Sequence, residues 1–349
     1  MSHPSPSPAP SRRPVDLLVV GAGPVGIACG IEAIRAGLGC RVVEKGAVCD
    51  ALVRWPADLV FFSTPELLEI GGLPFVTSGT KPTRREALRY YRKAAGAFGL
   101  DMRLYEQVLS VRRGGAGFAV TTTKGVHEAV RVVLATGFFD RPNLLSVPGE
   151  ELPKVTHYYD EPYRYSGTEV LVVGGGNSAV EAALDLYRNG ARVTMAVREQ
   201  ALKRTVKYWL TPDISNRIAE GSIRAFFDAE VSWIAEKTVG IACGGAPLVL
   251  PNDFVVALTG YHPDLDFLRA CGVEVTPDGH PLFDEGSMET AVPGLYLAGV
   301  VAAGVDIGKL FIENGRRHAA LVARHAAARL GSRSPDAAIP AISRFQDGD

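Results

Sequence analysis

Short apolar runs alternate along the chain with glycine turns and with helical patterns of apolar residues. Residues 16–20 (DLLVV) form the first such run, which predicts a buried strand ending at Gly21. A helical pattern follows through residue 36, and residues 40–44 (CRVVE) predict a second strand. The N-terminal region is therefore predicted to form a βαβ unit of a parallel sheet.

The next stretch, residues 54–82, is rich in prolines and aromatic residues and is predicted to be mostly loop. A helix is predicted around residues 84–98. Residues 118–123 and 130–134 have the composition of strands. We interpret them as an antiparallel insertion and its return to the main sheet.

The pattern of strand, glycine turn and helix then begins again, with predicted strands at residues 169–173 and 192–197. A late strand at 295–298 and a helix running on from Ile312 have no partner sheet nearby in sequence, so we expect them to return to the first unit. The predicted fold is α/β, with two Rossmann-like dinucleotide-binding domains, the second inserted into the first. The expected boundaries are a disordered tail at 1–14, a first domain at 15–144 and 259–330, a second domain at 145–258, and a C-terminal tail at 331–349.

Composition agrees with two α/β domains. The chain has 349 residues, 47% of them hydrophobic, and its 38 glycines suit buried parallel strands joined by tight turns. A net charge of −1 leaves no basic field for nucleic acid, and no segment indicates a membrane span. The five cysteines, at positions 29, 40, 49, 243 and 271, have no CxxC spacing that would indicate a metal site or a redox-active pair. This cysteine usage favours the cytoplasm.

The first glycine turn carries a dinucleotide-binding fingerprint. Gly21, Gly23 and Gly26 have the GxGxxG spacing, and Glu44 ends the next predicted strand about 20 residues later. In this motif the glycines allow a tight turn and a close approach to a pyrophosphate, whose charge the helix N-terminus stabilises. The carboxylate accepts hydrogen bonds from ribose hydroxyls. Structural coincidence is the competing interpretation, but the complete context favours a bound dinucleotide.

A second fingerprint stands at the start of the inserted unit. Gly174 and Gly176 open the sequence GGGNSA, in which Ala179 takes the last position of the motif. Asn177 and Ser178 begin the predicted helix and are expected to contact the same cofactor.

The charged residues after the second fingerprint indicate which cofactor it binds. Arg198 stands at the end of the following strand, where a carboxylate would hold the 2′-hydroxyl of NAD and an arginine accommodates the 2′-phosphate of NADP. Lys203 and Arg204 follow closely, so NADPH is the expected cofactor. A solvated, cationic loop is the alternative interpretation.

With both motifs placed, residues 16–328 resemble the thioredoxin reductase-like flavoproteins that bind two dinucleotides. Residues 134–137 (LATG) and 290–299 (TAVPGLYLAG) are similar to segments that in this group join the domains and approach the flavin. Three longer segments resemble those of the bacillithiol disulfide reductases of the YpdA family: FFSTPELLEIGGLPF, TGYHPDLDFL and FIENGRRHA. The resemblance implies an FAD enzyme that takes hydride from NADPH and reduces bacillithiol disulfide, a small-molecule substrate. We also expect a homo-oligomer.

The fingerprint and the resemblance together give the expected FAD contacts, which lie in glycine turns and at strand ends: Gly21, Gly23, Pro24, Gly26, Glu44, Lys45, Val108, Thr136, Gly137, Gly299 and Val300.

Two positions depart from the related sequences. Val300 replaces the aspartate that thioredoxin reductases place after the AG dipeptide, although AGVVAAG suits the bacillithiol group. Val25 replaces the cysteine that several family members carry immediately after GxGP, so a thiol relay at that position is impossible. Cys29 lies four residues later on the same predicted helix face and is the candidate substitute, with core packing as the alternative.

The sequence assigns no catalytic residue. Besides Cys29, the candidates lie in the FIENG segment, which is the expected substrate face: Glu313, Asn314, Arg316 and His318. Arg316 and Arg317 would hold the carboxylates of bacillithiol by paired hydrogen bonds, and helix capping or solvation is the alternative for each residue.

Three alternative functions remain open from the sequence. A flavin monooxygenase and a ferredoxin-type reductase both use two fingerprints without a cysteine pair, and a redox-sensing flavoprotein would need no turnover. His157 stands where monooxygenases place a histidine, but the preceding residues ELPKVT lack the expected Phe and Gly. We therefore interpret His157 as a linker residue and His262 as a turn residue.

Overall fold

The computed structural model describes residues 14–115, 117–306 and 308–329. The predicted tails therefore lie outside the described residues, except for Pro14. The elements of the first unit up to residue 134 are β1 (Val15–Val20), α1 (Pro24–Arg35), β2 (Cys40–Val43), α2 (Asp50–Val53), α3 (Pro65–Leu68), α4 (Arg84–Ala97), β3 (Asp101–Arg103), β4 (Val108–Gly114), β5 (Gly117–Thr122) and β6 (Gly125–Leu134).

The first unit is built on a sheet in which β1 lies between β2 and β6 and is parallel to both. The strand order is β3-β2-β1-β6-β5-β4, and β4 and β5 pair antiparallel, as the predicted insertion requires. Leu17, Leu18 and Val19 of β1 are fully buried, which is typical of a central parallel strand covered on both faces.

The inserted unit has its own sheets. Its elements are β7 (Val155–Thr156), β8 (Glu169–Val173), α5 (Asn177–Arg188), β9 (Arg192–Val197), α6 (Thr211–Ala219), β10 (Arg224–Phe227), β11 (Ala229–Ile234), β12 (Thr238–Cys243), β13 (Ala246–Pro251) and β14 (Phe254–Ala257). The strands β10-β9-β8-β14-β7 form a parallel sheet, and β11-β12-β13 form a separate antiparallel sheet. Apolar side chains of α5 and α6 cover one face of the parallel sheet, and the antiparallel sheet covers the other.

The chain then returns to the first unit through α7 (Leu265–Ala270), β15 (Leu295–Leu297), α8 (Ile312–Gly315) and α9 (His318–Arg329). β15 pairs with β6 in parallel, so the first sheet is completed by a strand made after the inserted unit. This topology is the predicted insertion of one dinucleotide unit into another, whereas the exact domain boundaries stay a prediction.

Two connecting segments run side by side between the units. The backbone N–H of Asn143 donates to Gly260, and the N–H of His262 donates to Arg141, both at 2.9 Å. The side-chain hydroxyl of Thr259 donates to the Asn143 carbonyl at 2.5 Å. The units are therefore joined by a paired, two-stranded linker.

The structure corrects one predicted helix and confirms another. The helix expected to run on from Ile312 is broken, because α8 ends at Gly315 and α9 begins at His318. The helix expected around residues 84–98 is α4, which begins after Thr83 with a capping box formed by Thr83 and Glu86.

Candidate functional site

A cleft of about 1430 Å³ opens between the two units, and both glycine turns line it. The turns follow β1 and β8, the central strands of their sheets, so the cleft lies at the carboxyl ends of the strands. Ligands of open α/β sheets bind at this edge. The cleft is therefore the candidate cofactor and substrate site.

The first fingerprint has the backbone that a dinucleotide requires. Gly21 has φ of +104°, and a Cβ there would lie 2.5 Å from the Ala135 carbonyl oxygen. A Cβ at Gly26 would overlap the carbonyl oxygen of Gly21, whereas a Cβ at Gly23 would meet no protein atom within 4 Å. Gly21 and Gly26 thus serve the turn itself, while Gly23 leaves open space where a pyrophosphate can approach the start of α1.

Glu44 is fixed beside this turn. Its side chain is 7% exposed, and its two carboxylate oxygens accept the backbone N–H groups of Ala22 at 2.7 Å and Gly46 at 3.0 Å. Burial raises the pKa of the Glu44 carboxyl above its ordinary value, and the two backbone donors oppose part of this rise. Because each oxygen keeps a free lone pair, the carboxylate can also accept ribose hydroxyls.

The structure brings every residue expected to contact FAD to the cleft: Gly21, Gly23, Pro24, Gly26, Glu44, Lys45, Val108, Thr136, Gly137, Gly299 and Val300. Lys45 is engaged within the protein, since its Nζ lies 2.7 Å from Asp140 Oδ2. Arg54 also pairs with Asp140 and lies over the Phe139 ring at 5.5 Å. Together they form a charged and aromatic wall beside the paired linker.

The second fingerprint repeats the turn of the first. Gly174 has φ of +130°, and a Cβ there would lie 2.5 Å from the Leu258 carbonyl oxygen. Gly176, Asn177 and Ser178 also line the cleft. The Asn177 side chain is occupied, however, because it accepts the Lys207 N–H at 2.8 Å and donates to the Thr205 carbonyl at 3.0 Å. The amide of Asn177 therefore holds the loop that follows β9, and its contact with the cofactor stays a prediction.

The cations after β9 are exposed, and the structure adds a carboxylate between them. Arg198 and Lys203 line the cleft, with side chains 75% and 50% exposed, but Arg204 does not line it. Glu199 Oε1 lies 3.9 Å from Arg198 Nη2 and 3.8 Å from Lys203 Nζ, and Glu199 also lines the cleft. Sequence reasoning missed Glu199, although its place four residues before Lys203 and next to Arg198 was a visible signal.

The cysteines do not supply a thiol relay to the end of the cleft where Val25 lies. Val25 lines the cleft and lies next to Gly299. A Cβ added to Gly299 would be 3.2 Å from the Val25 side chain. Cys29 is 1% exposed and does not line the cleft, and burial raises the pKa of its thiol. The candidate role of Cys29 is therefore wrong on geometry, because the sulfur is enclosed in the core beneath α1.

Cys49 is the thiol that does line the cleft, beside Glu44. It is 1% exposed, and burial together with the Glu44 charge raises the pKa of its thiol well above the ordinary value. All five cysteines are free. A neutral, enclosed thiol is a poor nucleophile, so Cys49 is a packing residue of the wall.

The FIENG segment is mostly structural. Glu313 lines the cleft and accepts a hydrogen bond from the Ser63 hydroxyl. Asn314 Oδ1 accepts the N–H of Phe311 at 2.7 Å, which caps α8. Arg316 donates to the Glu69 carbonyl, outside the cleft.

His318 and Arg317 also lie outside the cleft. His318 Nδ1 accepts the Gly299 N–H at 3.1 Å, so the histidine supports the turn at Gly299 without lining the cleft, and burial lowers the pKa of its imidazole. Arg316 and Arg317 line a separate depression on the surface next to Glu69. Of the residues proposed to hold the substrate, only Glu313 faces the cleft.

Residues 18–299 match the pyridine nucleotide-disulphide oxidoreductase family. The chain belongs to this family. It is 40% identical over 315 residues to the bacilliredoxin reductase Bdr of Bacillus subtilis, a match that covers 89% of this chain and 97% of the relative. The solved structure of bacillithiol disulfide reductase Bdr (YpdA) from Bacillus cereus has a TM-score of 0.88 and 39% identity, over 90% of this chain and 98% of that one.

The thioredoxin reductase of T. acidophilum, at 21% identity, shares the fold with a TM-score of 0.74 over 92% of this chain and all of that one. The predicted fold class and the resemblance to the YpdA proteins are confirmed. The protein is an oxidoreductase of the pyridine nucleotide-disulphide family.

Aromatic side chains of this oxidoreductase also line the cleft, and sequence patterns did not assign them to the site. Trp55, Phe61 and Phe62 come from the stretch predicted as loop, and Phe311 comes from the segment before α8. Phe62 and Phe311 meet edge to face, with ring centroids 5.5 Å apart. Their signal in the sequence was the aromatic content of a proline-rich loop, which fits core packing equally well.

The two histidines given no catalytic role from the sequence, His157 and His262, lie next to the segments that join the units. His157 Nε2 lies 3.2 Å from Glu150 Oε1, and its carbonyl accepts the Tyr261 hydroxyl at 2.7 Å. His262 lines the cleft, with its Nδ1 2.9 Å from the Pro263 carbonyl.

Within the described ranges, no group of three or more His, Cys, Asp and Glu side chains is arranged to hold a metal ion. The helices of those ranges are too short or too polar to cross a bilayer.

Proposed function

We propose that this protein is an NADPH-dependent FAD enzyme that reduces bacillithiol disulfide. The observation that supports it most is the meeting of two dinucleotide turns at one cleft, with a buried carboxylate beside the first and cations beside the second. The relatives add the substrate, since the matched Bacillus cereus structure is named a bacillithiol disulfide reductase and covers almost the whole of both chains.

The chain's residues suit FAD at the first turn. Gly23 leaves room for the pyrophosphate, Glu44 accepts the ribose hydroxyls, and Gly299 and Val300 lie at the far end of the same cleft. Bound there, FAD supplies a two-electron carrier between NADPH and a disulfide. The overall change takes two electrons and one proton from NADPH and one proton from solvent, breaks the S–S bond, and yields two thiols and NADP⁺.

No protein thiol is needed in this scheme. Val25 stands where related chains carry a cysteine, and the thiols of Cys29 and Cys49 are enclosed, with raised pKa values. A disulfide substrate therefore has to meet the flavin end of the cleft directly, beside Val25, Glu313 and Phe311. Because all five cysteines are free, we include a reducing cytoplasm in the proposal, together with the homo-oligomer expected from the sequence.

An anaerobic titration tests the proposal. Purified protein should release FAD on denaturation, its flavin absorbance should bleach with NADPH, and bacillithiol disulfide should restore the absorbance while two equivalents of thiol appear. Reoxidation by oxygen alone, with the disulfide inert, would favour a monooxygenase or oxidase. A flavin that NADPH does not reduce would favour the sensor interpretation.

The same titration with Cys29→Ser tests the absence of a relay. Turnover should stay within about threefold of wild type, because loss of an essential nucleophile commonly costs several orders of magnitude. Cys271→Ser, at another buried thiol, is the matched control. Loss of disulfide reduction in Cys29→Ser alone, with NADPH still bleaching the flavin, would make Cys29 the relay.

A further inference from the structure

The loop after β9 is tied closely to the second fingerprint. The Lys203 N–H donates to the Gly175 carbonyl at 2.9 Å, and Asn177 binds the backbone of Thr205 and Lys207 through both ends of its amide. This loop therefore moves together with the glycine turn that receives the second dinucleotide.

Lys207 extends from this loop toward the other unit. Its ammonium donates to Glu181 Oε1 at 2.6 Å, and Glu181 lies on α5, the helix of the second fingerprint. The same ammonium lies 5.9 Å from the centre of the Phe62 ring and 5.6 Å from the centre of the Trp209 ring. Only 22% of the Lys207 side chain is exposed, so these contacts hold it in one direction.

The partners on the far side belong to the first unit. Phe62 precedes α3 and packs edge to face on Phe311, next to α8, and both rings line the cleft. Lys81, which precedes α4, places its ammonium 5.1 Å from the centre of the Trp209 ring. Lysines and aromatic rings of the two units therefore alternate from one unit to the other, beginning at Phe62 in the cleft. We name this set of four residues the interdomain contact: Phe62, Lys81, Lys207 and Trp209.

We propose that Lys207 is a positioning residue that holds the two dinucleotide units at the separation required for electron transfer. This inference rests on the proposed FAD and NADPH chemistry. Lys207 takes no proton or electron in the reaction. It links Glu181, on the helix that receives NADPH, to Phe62, beside the flavin end of the cleft. Each cation–π contact of this kind shifts the equilibrium between units in contact and units apart by about two- to fivefold. This is enough to favour the contact and still allows the units to separate.

The test is anaerobic stopped-flow reduction of the flavin at saturating NADPH. Lys207→Met keeps a flexible, unbranched side chain but removes the charge, and we expect the reduction rate constant to fall by about two- to fivefold, because only the contact with Phe62 crosses between the units. Lys207→Arg should restore the rate to within about twofold, because a guanidinium also lies over aromatic rings. The dissociation constant for NADPH and the thermal midpoint should change little. Lys237→Met, which removes an exposed lysine paired with Asp253 at 3.2 Å, is the matched control.

A double-mutant cycle separates this role from an effect within one unit. Phe62→Leu should lower the rate in the same way as Lys207→Met, and the double variant should be no slower than the slower single variant. Small-angle scattering of the unliganded protein should show a larger radius of gyration for Lys207→Met than for wild type. Additive losses, or a Lys207→Met effect without a Phe62→Leu effect, would overturn the proposal, as would unchanged rates. Wild-type flavin that NADPH does not reduce would instead refute the proposed function.

Discussion

Glu44 and Arg198 occupy the same place in their units, directly after the strand that follows the glycine turn, yet their surroundings are opposite. Glu44 is 7% exposed and bound by two backbone N–H groups, whereas the Arg198 side chain is 75% exposed and pairs only loosely with Glu199 at 3.9 Å. A buried, fixed acceptor suits a ligand that stays, because its orientation is set before binding. An exposed cation suits a ligand that must bind and dissociate in every turnover. We infer that the first unit is built for a resident cofactor and the second for an exchanging one.

The largest effect is expected from breaking the first turn. A Cβ at Gly26 would overlap the Gly21 carbonyl oxygen, so Gly26→Ala should destabilise the protein by about 3 kcal/mol or more and prevent FAD retention. Gly96→Ala in α4 meets no atom within 4 Å and should be neutral or slightly stabilising. Thermal unfolding and flavin content measure both variants. A flavin-replete Gly26→Ala protein with unchanged stability would show that the turn is not rigid.

Next in size is the loss of Arg198. Arg198→Ala should cost roughly 1.5 to 3 kcal/mol of NADPH binding, or about tenfold or more in affinity, and leave NADH nearly unaffected. Arg204→Ala serves as the control, because Arg204 does not line the cleft, and it should change the NADPH affinity by less than about twofold. Michaelis constants for both cofactors give the comparison. Equal losses with NADPH and NADH would assign Arg198 a structural role.

A smaller and opposite effect is expected at Glu199. Its carboxylate lies near 4 Å from both cations and would repel a 2′-phosphate, so Glu199→Gln should improve NADPH affinity by about two- to threefold relative to NADH. The gain should shrink at high salt, since these groups are exposed. Titration of NADPH at low and high salt checks this. A weaker NADPH affinity in Glu199→Gln would mean that the carboxylate orients Arg198 productively.

The smallest effect concerns pH. Burial lowers the pKa of His318 below its ordinary value of 6.5, and its Nδ1 must be unprotonated to accept the Gly299 N–H. The unfolded chain therefore takes up a proton before the folded one does, and this contribution to stability, present above pH 6.5, is lost as pH falls through the lower folded pKa. His318→Asn keeps an acceptor and removes the titration, so its stability should depend less on pH in this window. Denaturant unfolding at several pH values gives the two slopes, and identical slopes would contradict the assignment.

The sequence predicted the site best at positions where a local motif allows only one residue type for a physical reason. The positive φ values of Gly21 and Gly174 and the end-of-strand position of Glu44 follow from local motif spacing, and the structure places all three at the cleft. Two of the candidates near α8 lie outside the cleft because their partners are distant in sequence: Arg316 bonds to Glu69, and His318 bonds to Gly299. Such pairings depend on how α8 packs against the first unit, which no local pattern encodes.

The insertion of one unit into the other also affects the order in which the two units fold during synthesis. The parallel sheet of the inserted unit is complete once residue 257 has been made, whereas the first sheet waits for β15 to pair with β6. Domains generally fold as units during synthesis, and contacts distant in sequence form slowly. The inserted unit is thus expected to become protease-resistant on the ribosome while strands β1 to β6, although made earlier, still lack their last neighbour.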